Sequence, residues 1–207
     1  MQHLDTNTTK AKLFGLLTTR NMVRISLLSM MGAILQNVLR LPTVPGFPIF
    51  LSLDMADVPT VVGTITMGPI AGILIQLLKN IISGLLTSST AGVGELANFL
   101  IGVAYVIPFY FVYKKTNFIL GAVAGTIGMM VMGALANYFI LLPFFAFVMG
   151  WGMESIISSG YDANTSINSV FTLIVFAILP FNLLKGAVTS IIAYLIYRSL
   201  KPILHRL

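Results

Sequence analysis

The 207-residue chain has no cysteine, two histidines, one tryptophan and little charge, with Asp, Glu, Lys and Arg making up 9% of it. Without cysteine there can be no disulfide, thiolate nucleophile or Cys-ligated metal. His3 and His205 stand near opposite ends, which leaves little scope for histidine acid–base catalysis. The motifs of intramembrane hydrolysis or metal-assisted phosphotransfer are missing: there is no GxSG, no HExxH and no aspartate cluster. GxxxxGK[ST], the phosphate loop of an ATPase, is missing too. No catalytic, metal-ligating or cofactor-holding set is therefore expected. Acidic residues number 6 against 12 basic ones, a net charge of +6. The basic residues flank apolar runs near the chain ends and in one loop, a pattern of membrane orientation rather than of nucleic-acid binding.

What is present suits lipid: 57% of the residues are hydrophobic and the mean hydropathy is +0.96. A span needs about 20 residues to cross a hydrocarbon core about 30 Å thick, so the chain has room for about six spans. The expected fold is all-α, a single integral-membrane domain over 1–207 with six transmembrane helices. The polar start, residues 1–22, lacks a cleavable signal pattern and reads as a cytoplasmic tail.

The first span is expected from about Arg24 to Arg40, followed by a proline-stiffened segment, LPTVPGFPIFLSLDMAD (41–57), that reads as an ordered outer cover. Gly68-Pro69 breaks the next apolar run into a short second helix and a third. A fourth helix starts at GELANFLIG and ends at Tyr113. The fifth runs from about Phe118 to Met149, long enough to need tilt or a kink near Pro143. A polar loop is expected over 150–169, and the sixth helix over about Val170 to Ser199.

Charge supports this layout. With both termini cytoplasmic, Lys10, Lys12, Arg20, Arg24, Lys114, Lys115, Arg198, Lys201 and Arg206 fall inside, and Arg40 falls outside. Fusing the second and third helices would move Lys114 and Lys115 outside.

Polar residues then collect toward the outer half. Lys79 and Asn80 fall on helix three, Glu95 and Asn98 on helix four, Asn137 on helix five, and Asn182 and Lys185 on helix six. Residues three apart share a helix face, so Glu95 with Asn98, and Asn182 with Lys185, each point into one space. Pro180 frees the carbonyl of Phe176 nearby. Plainer roles stay open: Lys79 snorkelling to the interface, Glu95 at a helix start, Asn137 as an interhelical hydrogen bond, and Lys185 paired with Glu95. Lysine within a span costs roughly 2.5–3.5 kcal/mol, so Lys185 needs a partner or a polar cavity.

The succession LPTVPGFPIFLSLDMADVP, GPIAGILIQLLKN, GELANFLIG, ANYF and PFNLLKG resembles the riboflavin-specific S component family (RibU) of energy-coupling factor (ECF) transporters, over nearly the whole chain. The resemblance implies a multi-pass cell-membrane protein that binds riboflavin from outside as transported ligand. It also implies partners, a transmembrane scaffold subunit and two cytoplasmic ATPases. Asn137 and Asn182 would meet the pyrimidine-dione edge of the flavin, and Lys185 would donate to a ring carbonyl or orient an asparagine. Lys79, Asn80, Glu95 and Asn98 would complete the site. Leu41, Pro45, Phe50, Asp54 and Asp57 would lie in the capping loop. Ser26, Ser29, Gly32 and Ala33 on the first helix include a small-xxx-small pair and read either as a scaffold-docking stripe or as packing within the chain. The alternatives are an S component for another vitamin, a binder of flavin mononucleotide met by Lys79 or Lys185, or a membrane assembly protein without transport. Two lysines against one glutamate argue against cationic thiamine.

Overall fold

The structure, a computed structural model, describes residues 18–40 and 44–204; residues 1–17 of the expected tail, and Leu41, lie outside the described residues. Helix α1 (Thr19–Val38) begins five residues before the expected Arg24, because Thr18 Oγ1 caps it by accepting from the Asn21 N–H at 3.4 Å. Residues 19–22 thus belong to the helix rather than to a tail.

After the segment 44–56, α2 (Asp57–Met67) is short, roughly 16 Å at 1.5 Å per residue, and is buried over most of its length. It stops at Gly68, whose φ of 96° is open to glycine but strained for other residues, and Pro69 starts α3 (Pro69–Thr87) at the position where its missing N–H costs nothing. The expected break falls there. A tight turn through Ala91 and Gly92, both at positive φ, leads to α4 (Val93–Lys115).

Helix α5 (Phe118–Val148) is capped by Asn117 and changes to wide π turns at Asn137–Leu141 and Phe144–Val148. Pro143, which cannot donate to an earlier carbonyl, lies between them. The last helix, α7 (170–204), repeats the device: a π turn at Ile174–Ile178 precedes Pro180.

The polar segment 150–169, expected as a loop, contains a helix, α6 (Met153–Ala163). Ile156 and Gly160, four residues apart, share its buried face, and Gly160 packs on Ile167 and Leu173. Serines between the apolar positions disguise this pattern.

Among the described residues α3, α4, α5 and α7 are long and apolar enough to cross a membrane. Helix α4 packs along α5, α5 against α7, and α1 against α3. Small residues set the spacing: a Cβ on Gly125 would sit 3.0 Å from the Tyr105 carbonyl oxygen. Ser29, Gly32 and Ala33 are buried, and a Cβ on Gly32 would meet Lys79 and the Ala56 carbonyl at 3.1 Å. That part of the small-residue stripe packs within the chain, and Ser26 alone of the four is exposed. The outward face of α1 is instead Met22, Val23, Leu27, Met30, Met31 and Ile34.

Candidate functional site

A cavity of about 180 Å³ opens at the end of the bundle where α1 and α3 finish and α4 and α7 begin. Its walls carry Asn98 and Glu95 from α4, Asn137 from α5, and Asn182 and Lys185 from α7. Lys114 and Lys115, at the other end of α4, and Arg20 and Arg24, at the start of α1, lie at the opposite end of the bundle.

Two asparagines meet on the wall. Asn137 Nδ2 donates to the Gly133 carbonyl one turn earlier at 2.8 Å, and Asn182 packs directly on Gly133. Asn182 Nδ2 likewise donates to the Ile178 carbonyl at 2.8 Å. Their amide hydrogens are partly committed to backbone carbonyls one turn earlier, and their oxygens remain to accept. Asn137 Oδ1 is buried and has no hydrogen-bond partner among the described residues. A buried acceptor left in this way costs about 1–3 kcal/mol.

Below the asparagines lies a buried charge cluster. Lys185 Nζ donates to Asp54 Oδ2 at 3.0 Å and to Asn98 Oδ1 at 3.3 Å, and lies 3.6 Å from Asp57 Oδ2. Asp57 Oδ1 accepts from Lys79 Nζ, and from Gln76 Nε2 at 2.7 Å. All four charged residues are buried. A charge in low dielectric is tolerable only when paired and hydrogen-bonded, which is why lysines on α3 and α7 converge on aspartates from the segment before α2 and its first residue.

This arrangement corrects several expectations. Lys185 does not pair with Glu95, which accepts from Ser88 Oγ and Thr90 Oγ1 in its own loop at 3.0 and 3.3 Å. Lys79 is 0% exposed, so it does not snorkel. Neither Lys79 nor Asn80 lines the cavity; Asn80 Nδ2 donates to the Gln76 carbonyl at 2.8 Å behind it. Asp57 lies buried beneath the cavity, outside its lining, rather than in a cover, because α2 starts with it. Two aspartates face two lysines there, so the positive balance expected from counting Glu95 alone is absent.

The segment 44–56 forms a strap across the cavity. Phe50, Leu51, Ser52 and Asp54 line it from that side. Phe47 packs edge-on to Phe181 at 5.5 Å, Phe50 lies 6.2 Å from Phe145, and Leu51 and Leu53 join their apolar cluster. Arg40 Nε donates to Ser52 Oγ at 2.7 Å, tying the strap to the end of α1. Pro45 stands away from the cavity, in a second cleft against α6.

Sequence reasoning missed Gln36, Asn37, Ser83 and Thr87 on the wall. Asn37 Nδ2 donates to Ser83 Oγ at 3.2 Å, and Thr87 Oγ1 donates to Asn37 Oδ1 at 2.5 Å, joining α1 to α3. The adjacent amides in LQNVLR, inside an apolar helix, were the available signal.

Over residues 20–197 the chain matches the family "ECF transporter, substrate-specific component". It is 33% identical to the riboflavin transporter FmnP of Bacillus subtilis (strain 168), with 88% of this chain and 93% of that protein covered. It is also 33% identical to the riboflavin transporter RibU of Staphylococcus aureus (strain TCH60), covering 91% and 94%. A solved S component of a bacterial ECF transporter superposes with a TM-score of 0.70 at 33% identity, over 88% of this chain and 96% of that one.

Proposed function

The chain belongs to the family of ECF transporter substrate-specific components, and from that premise we propose that it is the riboflavin-binding subunit of a vitamin importer in the cell membrane. It works with a transmembrane scaffold and two cytoplasmic ATPases, and is not itself an enzyme. The observation that carries the ligand assignment is the pair of asparagine oxygens on the cavity wall, one of them buried without a partner among the described residues, beside the Lys185 ammonium.

The chemistry matches. The dione edge of a flavin alternates carbonyl acceptors with one ring N–H. An asparagine oxygen accepts that N–H, while Lys185 and Asn98 Nδ2 donate to the flanking carbonyls. Leu141, Phe145 and Phe181 offer apolar surface to the flat ring. Toward the mouth, Thr87, Thr90 and Glu95 suit the ribityl hydroxyls. At about 180 Å³ the cavity is smaller than the roughly 300–1,000 Å³ of pockets that enclose such ligands. Binding in this reading therefore displaces the strap.

The cavity end is the outer end, since the opposite end carries the clustered Lys and Arg. Both termini are then cytoplasmic and the chain crosses six times, the second crossing being shared between α2, which reaches only part-way, and the segment before it. The charge-balanced floor gives no excess of cation for a phosphate, so flavin mononucleotide is not favoured over riboflavin. Uptake of labelled riboflavin tests the function: cells expressing the chain with an ECF scaffold and its ATPases should accumulate it in an ATP-dependent manner. Accumulation that is the same without this chain would contradict the proposal.

A further inference from the structure

The cavity touches Lys185 but not all of the residues that hold it. Lys185 has three N–H donors; two go to Asp54 and Asn98, and the third faces Asp57 Oδ2 at 3.6 Å. Asp57 is divided between two cations, since its other oxygen receives Lys79 and Gln76. Resting on the riboflavin reading above, we propose that Asp57, which does not contact the ligand, is the positioning residue of the site: it holds the Lys185 ammonium at the cavity floor and, by serving Lys79 as well, keeps that floor electrically neutral toward an uncharged flavin ring.

The geometry explains why one carboxylate would not do. Asp54 sits on the strap, so an ammonium held by Asp54 alone would follow the strap whenever it moves. Asp57 is the first residue of α2, a helix packed against α3, α4 and α7. It is a fixed point, and its contact to Lys185 is long enough to leave that third N–H to be shared with a ring carbonyl. Lys79 is fixed as well, packed under Gly32 of α1 and with no access to the cavity. Its charge reaches the ligand only through what Asp57 leaves uncompensated. The other charged groups on the cavity wall, Glu95 and Arg40, already have partners: Glu95 accepts from Ser88 and Thr90, and Arg40, on the exposed rim, donates to Ser52.

Flavin supplies its own reporter of floor charge. The ring N–H is acidic, and its loss changes the absorption spectrum. A net positive floor brings that loss to lower pH, and a net negative floor delays it. The test is riboflavin titration, and the pH dependence of bound-flavin absorption, for wild type, Asp57→Asn, Lys79→Met and the double variant. Asp57→Asn should weaken riboflavin about tenfold and lower the pH of ring-proton loss by about one unit, as expected for an uncompensated buried cation. Lys79→Met should raise that pH, and this arm keeps the test open if Asp57→Asn does not fold. The double variant, which restores neutrality, should return both readouts toward wild type. An Asp57 that merely holds α2 in place predicts otherwise. If the ring proton is lost at the same pH in every folded variant, or the double variant binds worse than Asp57→Asn, the inference is wrong although riboflavin still binds wild type. Wild type that does not bind riboflavin overturns the functional reading itself.

Discussion

Lys185 lies in an apolar helix because Asp54 and Asp57 come to it, the first from 131 positions away. Replacing it with methionine removes one member of a paired cluster and leaves two aspartates facing one lysine, so Lys185→Met should lower stability by roughly 3–5 kcal/mol. Thermal unfolding in detergent measures this, and a midpoint equal to wild type would contradict it. Asn137→Ala acts differently, because it gives up the Nδ2 hydrogen bond to the Gly133 carbonyl but also removes the buried Oδ1 that has no partner among the described residues, and the two effects offset. It should leave the melting temperature nearly unchanged while weakening riboflavin about tenfold or more, the worth of roughly 1–3 kcal/mol for one buried hydrogen bond. The need for a partner was legible in the sequence around Lys185; the identity of the partner was not. Asp54 and Asp57 stand in a proline-rich segment that local reasoning assigns to a cover, and only the tertiary fold turns its end inward. Glu95 misled because its spacing from Asn98 shares a face, whereas its carboxylate is satisfied by two hydroxyls of its own loop.

Among the elements, the wide turns matter most to the site. A π turn carries one extra residue and rotates the part of the helix that follows it; one begins at Asn137 and another ends just before Asn182, and both asparagines line the same wall. Gly133 marks how closely α5 and α7 approach there, since a Cβ on it would sit 2.5 Å from Asn182 Nδ2. Gly133→Ala should push Asn182 out of line and weaken riboflavin more than it lowers the melting temperature, at an overpacking cost of roughly 1–3 kcal/mol. Equal riboflavin affinity in that variant would show that Asn182 has room to move. The long apolar helices were readable because unbroken apolar runs of that length have few alternatives, and the Gly68-Pro69 break was readable because those two residues restrict the backbone. Helix α6 was not, since its buried face rests on Ile156 and Gly160 amid serines and is stabilised by the cluster beneath it. Element ends shifted where a side-chain cap such as Thr18 extended the helix.

For the whole molecule, one polar, charge-balanced cavity lies at one end of an apolar bundle and the clustered basic residues at the other. The orientation rests on that asymmetry, and the absence of native cysteine makes it simple to check. A membrane-impermeant thiol reagent added to intact cells should label Ser155→Cys, exposed on α6, and not Thr116→Cys, exposed in the turn after Lys115; the reverse pattern would invert the topology. The most direct test of the central claim is quenching of riboflavin fluorescence by the detergent-purified protein, with Asn137→Ala and Lys185→Met alongside wild type. Saturable quenching at one ligand per chain, weakened by either substitution, is the predicted result; flavin fluorescence untouched by folded wild-type protein would contradict it.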